Sequence, residues 1–226
     1  MRAWLDPMLV HNPDIRDEVV SSFSNALLSG VEQDVHTFFE EWPEVFEFVC
    51  PSGLVISKMP LGSSFVTDFV LVVNDIYSND PTPVITLVEI EKPNLRLFSK
   101  SGDPTLGLTH AIRQIQDWKR WIGSNRAYFV DELRRALEAE PPLHENHSST
   151  RNHLLRYIVD GIHERYLVVV GRRESLSKSD RLLLGQMNHD LQGIAIVTYD
   201  VIINVLIRNS RLRGHRSAWH ETGGED

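Results

Sequence analysis

The pattern of apolar and polar positions predicts two helices within the first 43 residues. Apolar residues recur at helical spacing from Asn12 and Pro13, a typical helix start, to Gly30, a typical helix stop. A second amphipathic segment, VEQDVHTFFEEW, follows and ends at Pro43. Both predicted helices carry acidic residues on their outer faces.

Between Leu54 and Lys92 the pattern changes to three β-rich runs, LVISKM, SFVTDFVLVV and VITLVEIE. The first two runs are joined by the hairpin-like segment PLGSS, and the next two by the polar loop NDIYSNDPTP. We therefore expect three strands in a meander.

The second half of the chain alternates helical and strand patterns. A long helix is predicted from Pro104 to about Trp121, followed by the helix FVDELRRALEAE and by PPLHENHSSTRNH, which has the composition of a loop. YLVVVG and GIAIVTY are predicted strands, followed by helices at 177–191 and 200–212, respectively. The order predicts an α/β domain with a mixed central β-sheet flanked by helices, in which the late strands join by crossovers.

Three carboxylates interrupt the apolar strand runs. Asp68 lies inside SFVTDFVLVV, whereas Glu89 and Glu91 lie two residues apart in VITLVEIE and so point to one face of a strand. Acids this close repel one another unless a cation compensates them, and hard cations such as Mg²⁺ take carboxylate ligands. One interpretation of the pattern is a metal site for phosphodiester hydrolysis. The alternative is that Asp68 caps a turn and that Glu91 is solvated at a strand end beside Lys92.

The charge balance does not exclude an anionic partner. The chain of 226 residues carries 31 acids and 23 bases, a formal charge of -8, and residues 1–50 contain the whole excess. The single cysteine, Cys50, cannot form an internal disulfide, which favours a reducing cytoplasm. Asp6 and Pro7 interrupt any signal-peptide core, and no apolar run approaches the ~20 residues of a membrane helix.

Several segments together resemble the PD-(D/E)XK nuclease superfamily and, within it, the Shedu anti-phage nuclease domain. EQDVHTFFEEWPEVF is similar to the opening helix of that family, TDFVLV and LVEIEKP to its motif strands, and HAIRQIQDWKRW to the following helix. LVVVGRR and IAIVTYD are similar to its closing strands, so the resemblance runs from about residue 30 to residue 205. It implies a restriction-endonuclease-like core in α-β-β-β-α-β order.

The resemblance implies a role for each motif residue. Asp68 and Glu89 stand at the positions of the metal ligands, for Mg²⁺ or alternatively Mn²⁺, joined by the backbone carbonyl of Ile90. Gln114 matches a recurrent glutamine that contacts the DNA backbone or orients a catalytic group, and the aromatic Trp118 follows it by one helical turn. We expect Trp118 to lie in the core.

One position departs from the family pattern. The family carries a lysine two residues after the glutamate, where it orients water and neutralises developing charge, and this chain has Glu91 there with Lys92 next to it. Some restriction enzymes of the superfamily are active with glutamate at that position. Glu91 is therefore the expected third ligand or water-activating group, and Lys92 is the reserve candidate if a bulge turns it inward. Glu32, at the start of a helix, either approaches the same metal or only responds to the helix dipole.

The expected function is metal-dependent DNA cleavage, by an endonuclease or nickase, in defence against phage. Candidate nucleic-acid contacts are Lys119 and Arg120 on the long helix, and Arg172 and Arg173 after a late strand. The family resemblance also predicts a homo-oligomer. The rival hypothesis, motivated by the missing lysine, is a catalytically impaired relative that binds nucleic acid or a protein partner.

The predicted domain organisation has three parts. Residues 1–29 form an N-terminal helical extension, residues 30–212 the nuclease-like domain, and residues 213–226 a polar tail. We expect a cytoplasmic protein with DNA as its partner and no association with a membrane.

Overall fold

A six-stranded mixed sheet forms the centre of the protein in the computed structural model, which describes residues 2–4, 13–48, 53–74, 82–139 and 145–207. The sheet has the strand order β1-β2-β5-β6-β7-β8, and the short strands β3 and β4 form a separate hairpin. The strands are β1 (Arg2–Trp4), β2 (Leu54–Ser57), β3 (Pro60–Leu61), β4 (Phe65–Val66), β5 (Phe69–Val73), β6 (Val84–Ile90), β7 (His163–Val169) and β8 (Ile194–Val197).

Helices cover both faces of this sheet. They are α1 (Pro13–Ser29), α2 (Glu32–Glu41), α3 (Leu106–Ser124), α4 (Arg126–Ala139), α5 (Glu145–Tyr157) and α6 (Lys178–Asp190), and residues 199–207 are also helical. Ser177 caps α6 in a capping box with Asp180, as its sequence favours.

The topology confirms the predicted fold class. Strands β2, β5 and β6 form the antiparallel meander, and β7 and β8 then add in parallel after helical crossovers. Helix α2, the three meander strands, helix α3 and β7 follow one another in the expected α-β-β-β-α-β order.

The central strands are almost entirely apolar because both faces of the sheet are buried. In β5, Val70 and Val72 pack into the cluster formed with α3 and α4, whereas Phe69 and Leu71 pack into the cluster formed with α1, α2 and residues 199–207. Such two-sided burial gives continuous apolar runs instead of alternation. Helix α1 contributes Phe23 to the second cluster.

Two local predictions were wrong, and one strand was not predicted. The run SFVTDFVLVV is divided between β4 and β5, which pair with different strands, so Asp68 lies in the break and not inside a strand. Most of the segment predicted as a loop is helical and belongs to α5, and the buried Leu154 near the end of α5 and Ile158 just after it hold this helix on the core. Strand β1 was not predicted, and its three residues pair with β2.

Some predictions fall on parts of the chain outside the described residues. These are the proposed helix start at Asn12, the end of the last helix beyond residue 207 and the tail at 213–226. The division into an extension, a domain and a tail stays a prediction. Within the described ranges, no helix has the length and apolar character needed to cross a membrane.

Gly171 lies where β7 ends, and its conformation is testable. Its φ is +63°, and a Cβ there would approach the carbonyl oxygen of Leu95 to 2.7 Å. We expect Gly171→Ala to lower the free energy of unfolding by roughly 2–4 kcal/mol, since the left-handed conformation and the contact with backbone add. Gly185→Ala, in α6 where a Cβ meets nothing within 4 Å, is the control and should stabilise by about 0.5–1 kcal/mol. Urea unfolding followed by circular dichroism measures both; equal effects would contradict the assignment.

Candidate functional site

Asp68 connects the ends of two neighbouring strands. The register of β5 and β6 pairs Phe69 with Val88, which places Asp68 opposite Glu89. Asp68 Oδ2 accepts a hydrogen bond from the backbone N–H of Ile90 at 2.8 Å, and Oδ1 accepts one from Nζ of Lys58 at 2.6 Å. The carboxylate is therefore engaged on both oxygens at the edge of the buried sheet.

The carboxyl group of Glu89, in β6, is buried with too little positive charge around it to balance a negative charge. Glu89 is only 6% exposed, and its Oε2 atom has no hydrogen-bond partner. Burial, reinforced by the negative charges of Asp68 and Glu91, raises the pKa of Glu89 to about 9, while Lys58 opposes the shift. At neutral pH this group keeps its proton unless a further cation reaches it.

Glu91 lies one residue beyond β6, where the backbone around it is fixed. Its N–H donates to the carbonyl of Val169 at 2.9 Å, and its carbonyl accepts from the hydroxyl of Tyr199. Burial raises the pKa of the Tyr199 phenol well above its ordinary value, so the hydroxyl keeps its proton and remains a donor. Burial, followed by the charge of Glu32, also raises the pKa of the Glu91 carboxyl, and His110 opposes this shift.

Glu32 belongs to the same electrostatic group. It stands in the first turn of α2, where burial and then the negative charge of Asp68 raise the pKa of its carboxyl. Lys92 and Lys58 lower that pKa. Glu32 therefore does not only respond to the helix dipole. It is a fourth carboxylate of the site, after Asp68, Glu89 and Glu91, and it interacts electrostatically with Asp68.

His36, on α2, is a buried residue of the site that the sequence analysis did not identify. Its ring stacks on Phe69 with centroids 4.7 Å apart, and neither ring nitrogen has a hydrogen-bond partner. Nε2 lies 3.9 Å from Asp68 Oδ1, and Nδ1 lies 3.8 Å from Glu40 Oε1. Burial, followed by the charge of Lys58, lowers the pKa of His36, so the imidazole is neutral at pH 7.

The arrangement has the donor chemistry of a Mg²⁺ site but not a complete set of ligands. Within the described ranges, no three side chains from His, Cys, Asp and Glu are placed together to hold a metal ion. Asp68 does not offer a free ligand atom because Lys58 and the N–H of Ile90 engage both of its oxygens. Against this, the unpartnered Oε2 of Glu89 and the raised pKa values show a local deficit of positive charge that an oxygen-binding cation fits.

A groove runs along α3. It has a volume of about 360 Å³ and lies between the β3–β4 hairpin and α3. Gln114, Arg113 and His110 line it together with Phe65, and the charge of His110 acts on Glu91. The predicted Gln114 therefore shares a groove with His110, which lies within electrostatic reach of Glu91. The buried Trp118 is confirmed as a core residue.

The four predicted basic contacts do not form one patch. Lys119 reaches the carbonyl of Gln192 at 3.5 Å, and Arg120 pairs with Asp117. Arg172 binds Asp200 at 3.2 Å, whereas the side chain of Arg173 is exposed. Their contact with nucleic acid stays a prediction.

Lys92 is exposed and lies beside the end of β7. Its carbonyl accepts hydrogen bonds from the N–H groups of Leu95 and Gly171. No bulge breaks the pairing of β6 with β7, which is continuous through Ile90.

Comparison with known protein families shows to which family this chain belongs. The family model "Shedu protein SduA, C-terminal" matches residues 29–203. The chain belongs to the Shedu family. This confirms the resemblance to the Shedu family.

Other comparisons add less to this family assignment. Curated protein sequences give no match to this Shedu-family chain. Among solved structures, a restriction endonuclease FokI bound to DNA is similar at 15% identity and a TM-score of 0.36, covering 92% of this chain and 28% of that one.

The residues that sequence analysis missed share one property. Lys58, His36 and His110 reach the site from β2, α2 and α3, which are far apart in the chain. No motif joins them, and only His36 gave a signal, as the polar residue on the apolar side of an amphipathic helix.

The shifted pKa of Glu89 predicts how stability depends on pH in the metal-free protein. The unfolded chain releases this proton near pH 4.5, whereas the folded protein holds it until about pH 9, so the free energy of unfolding falls as pH rises between these values. We expect Glu89→Gln to stabilise the protein at pH 8 by at least about 1 kcal/mol, the equivalent of one pKa unit, and to have little effect at pH 5. Thermal unfolding in EDTA measures this, with the exposed Glu41→Gln as control. A stabilisation that is equal at both pH values would contradict the shift.

Proposed function

We propose that this protein is a metal-dependent DNA endonuclease or nickase that hydrolyses phosphodiester bonds in defence against phage. The observation that carries the proposal is the buried, unpartnered carboxyl of Glu89, surrounded by Asp68, Glu91 and Glu32. A fold gains no stability from uncompensated carboxylates at a sheet edge, so their convergence requires another reason. Membership of the Shedu family supports nuclease chemistry as that reason.

Asp68 and Glu89 are the residues that would hold the ion, Mg²⁺ or alternatively Mn²⁺, with Glu91 as third ligand or water-activating group. Bound there, the metal would supply charge stabilisation at the phosphate and a more acidic water. Loading requires Asp68 to exchange its contact with Lys58 and requires Glu89 to lose its proton. We therefore expect metal binding to release protons and to strengthen as pH rises.

Glu91 is suited to accept the proton of the attacking water. Burial and the neighbouring Glu32 raise the pKa of its carboxyl, which makes it a stronger base than an exposed glutamate. Water oxygen would bond to phosphorus as one of its protons passes to Glu91, and the P–O bond to the leaving oxygen would break. The leaving oxygen would take a proton from solvent water and become a hydroxyl, the other strand end would keep the phosphate monoester, and Glu91 would then return its proton to solvent. The carbonyl of Glu91, held by Tyr199, fixes the backbone from which this side chain acts.

DNA would lie along α3, in the groove between that helix and the β3–β4 hairpin. Gln114 offers an amide, Arg113 a guanidinium and Phe65 an aromatic ring along that groove. His110 connects the groove to the acidic site through its effect on Glu91. The proposal places the scissile phosphate between the groove and the strand ends, with Arg173 as a further backbone contact.

The wider biological setting is inferred from the family. A cytoplasmic protein that assembles with copies of itself and attacks foreign DNA agrees with Shedu membership and with the single cysteine. The surplus of acids in residues 1–50 would limit indiscriminate binding to DNA outside the groove.

Cleavage of plasmid DNA tests the proposal. We expect the wild-type protein to nick or linearise supercoiled DNA with Mg²⁺ or Mn²⁺ and not with EDTA. Asp68→Asn and Glu89→Gln should each slow the reaction by about 100-fold or more, since each would remove a ligand of the ion. Mn²⁺ should raise the melting temperature of the wild-type protein and not that of Glu89→Gln.

The exposed Glu41→Gln is the matched control, because it removes one carboxylate from α2 without touching the site. It should cleave at the wild-type rate. Full activity of Glu89→Gln would refute the site, and cleavage that is insensitive to EDTA would refute the need for a metal.

A separate variant tests the role of Glu91. Glu91→Gln should slow single-turnover cleavage by about 100-fold or more while leaving DNA affinity unchanged, since a neutral amide cannot accept a proton. Gel-shift titrations in EDTA measure the affinity. Retained activity in Glu91→Gln would exclude Glu91 as the water-activating group.

Two observations favour a second function, a relative that binds nucleic acid without cleaving it. Both oxygens of Asp68 are already engaged, and Glu91 replaces the lysine of the family motif. That function would be supported if the wild-type protein bound DNA but cleaved none with any metal, and if Glu91→Lys gained cleavage.

A further inference from the structure

Lys58 is the cation in direct contact with the acidic site. It directly follows β2, and the register of β2 with β5 places it opposite Asp68, which in turn lies opposite Glu89. Its Nζ lies 2.6 Å from Asp68 Oδ1, and its backbone N–H donates to the carbonyl of Asp68 at 2.9 Å. Lys58, Asp68 and Glu89 therefore form one row across three adjacent strands.

The backbone at Lys58 is held in an unusual conformation. Its φ is 53°, and among the described residues it is the one non-glycine residue with a positive φ. Lysine has no intrinsic preference for this left-handed region, and such positions concentrate at functional sites. The conformation keeps the start of the lysine side chain beside Asp68 after β2 has ended.

Lys58 and Lys92 differ in where their side chains lie. Lys58 contacts Asp68 directly, and its charge opposes the raised pKa of both Glu89 and Glu32. Lys92 also lowers the pKa of Glu32, but it is exposed and its backbone is committed to the turn at Gly171. The direct contact with Asp68 therefore favours the lysine after β2 over the lysine next to the motif.

Lys58 also has room to move. Its side chain is half-exposed, and it lines an open cavity of about 450 Å³ together with Arg2 and Glu132. The ammonium reaches solvent although Asp68 is only 14% exposed, so Lys58 can turn from Asp68 to another anion without being withdrawn from the surface. The ammonium can donate to a phosphoryl oxygen without losing its own proton.

We propose that Lys58 is the catalytic cation of this protein and that it supplies from β2 the positive charge that the family motif supplies from position 91. Without substrate it neutralises Asp68. With substrate, its ammonium leaves Asp68 and donates a hydrogen bond to a non-bridging oxygen of the scissile phosphate, where negative charge develops as the P–O bond breaks. This inference rests on the proposed phosphodiester hydrolysis.

Comparison of three lysine variants tests this role. Lys58→Met keeps the length of the side chain and removes the charge, Lys92→Met does the same at the neighbouring candidate, and Lys100→Met alters an exposed lysine in another turn as control. We expect Lys58→Met to slow single-turnover cleavage by about 100-fold or more, as removal of one charge-stabilising donor does in other enzymes. Lys58→Arg should retain part of the rate, and Lys92→Met and Lys100→Met should cleave as the wild type does.

Metal binding provides a readout that is independent of cleavage. Lys58 competes with the ion for Asp68 Oδ1, so Lys58→Met should bind Mn²⁺ at least as tightly as the wild type in titrations followed by electron paramagnetic resonance. Loss of cleavage with retained Mn²⁺ binding and an unchanged melting temperature supports the proposal. Loss of all three properties would assign Lys58 a structural role only and overturn it.

The failure of this inference is distinguishable from failure of the proposed function. A wild-type protein that cleaves no DNA with any metal overturns the nuclease function and this inference with it. A wild-type protein that cleaves, beside a Lys58→Met variant that cleaves equally well, overturns the role of Lys58 alone. Loss of activity in Lys92→Met but not in Lys58→Met would return the role to Lys92.

Discussion

The rest of the site depends on the two hydrogen bonds that the Asp68 carboxylate accepts. The carboxylate accepts one hydrogen bond from the backbone of β6 and one from Lys58 after β2, and so it fixes the relative positions of three strand ends. Because opposite residues of paired antiparallel strands lie close together, the same register sets Glu89 beside it. Asp68 lies in the break between β4 and β5, so the N–H of Ile90 donates to its side chain. In a regular strand, that N–H would donate to a backbone carbonyl of the neighbouring strand.

Burial gives this arrangement its chemical character. The sheet is covered on both faces, and a carboxyl group at its end loses most of its contact with water. Ionising Glu89 there costs free energy, which its raised pKa reflects, and Asp68 and Glu91 increase that cost. The fold therefore holds a proton on Glu89 at neutral pH, and the free energy of unfolding is lower there than at pH 4.5. Such a cost is typical of a site maintained for binding or catalysis.

The replacement of the family lysine by Glu91 changes how the charges must be balanced. A lysine at that position would neutralise the acids from their own strand, whereas here the neutralising ammonium comes from the neighbouring strand. The row across the ends of β2, β5 and β6 places Lys58 beside Asp68, although the two residues come from different strands. A motif that lacks its lysine in the sequence can therefore have a lysine beside its acids from another strand of the sheet.

Periodicity and turn residues determined much of the fold, because helices and strands are local patterns: α1, α2, α3 and the meander strands follow from the order of apolar residues. Asp68 and Glu89 stood out for a similar reason, as charges within apolar runs. The loop assignment around α5 was wrong because that helix forms by burying Leu154 and Ile158 in a core assembled from distant segments. Only the tertiary structure could bring Lys58, His36 and Glu32 to the acids, since strand register and helix packing, not sequence spacing, set the distances between them.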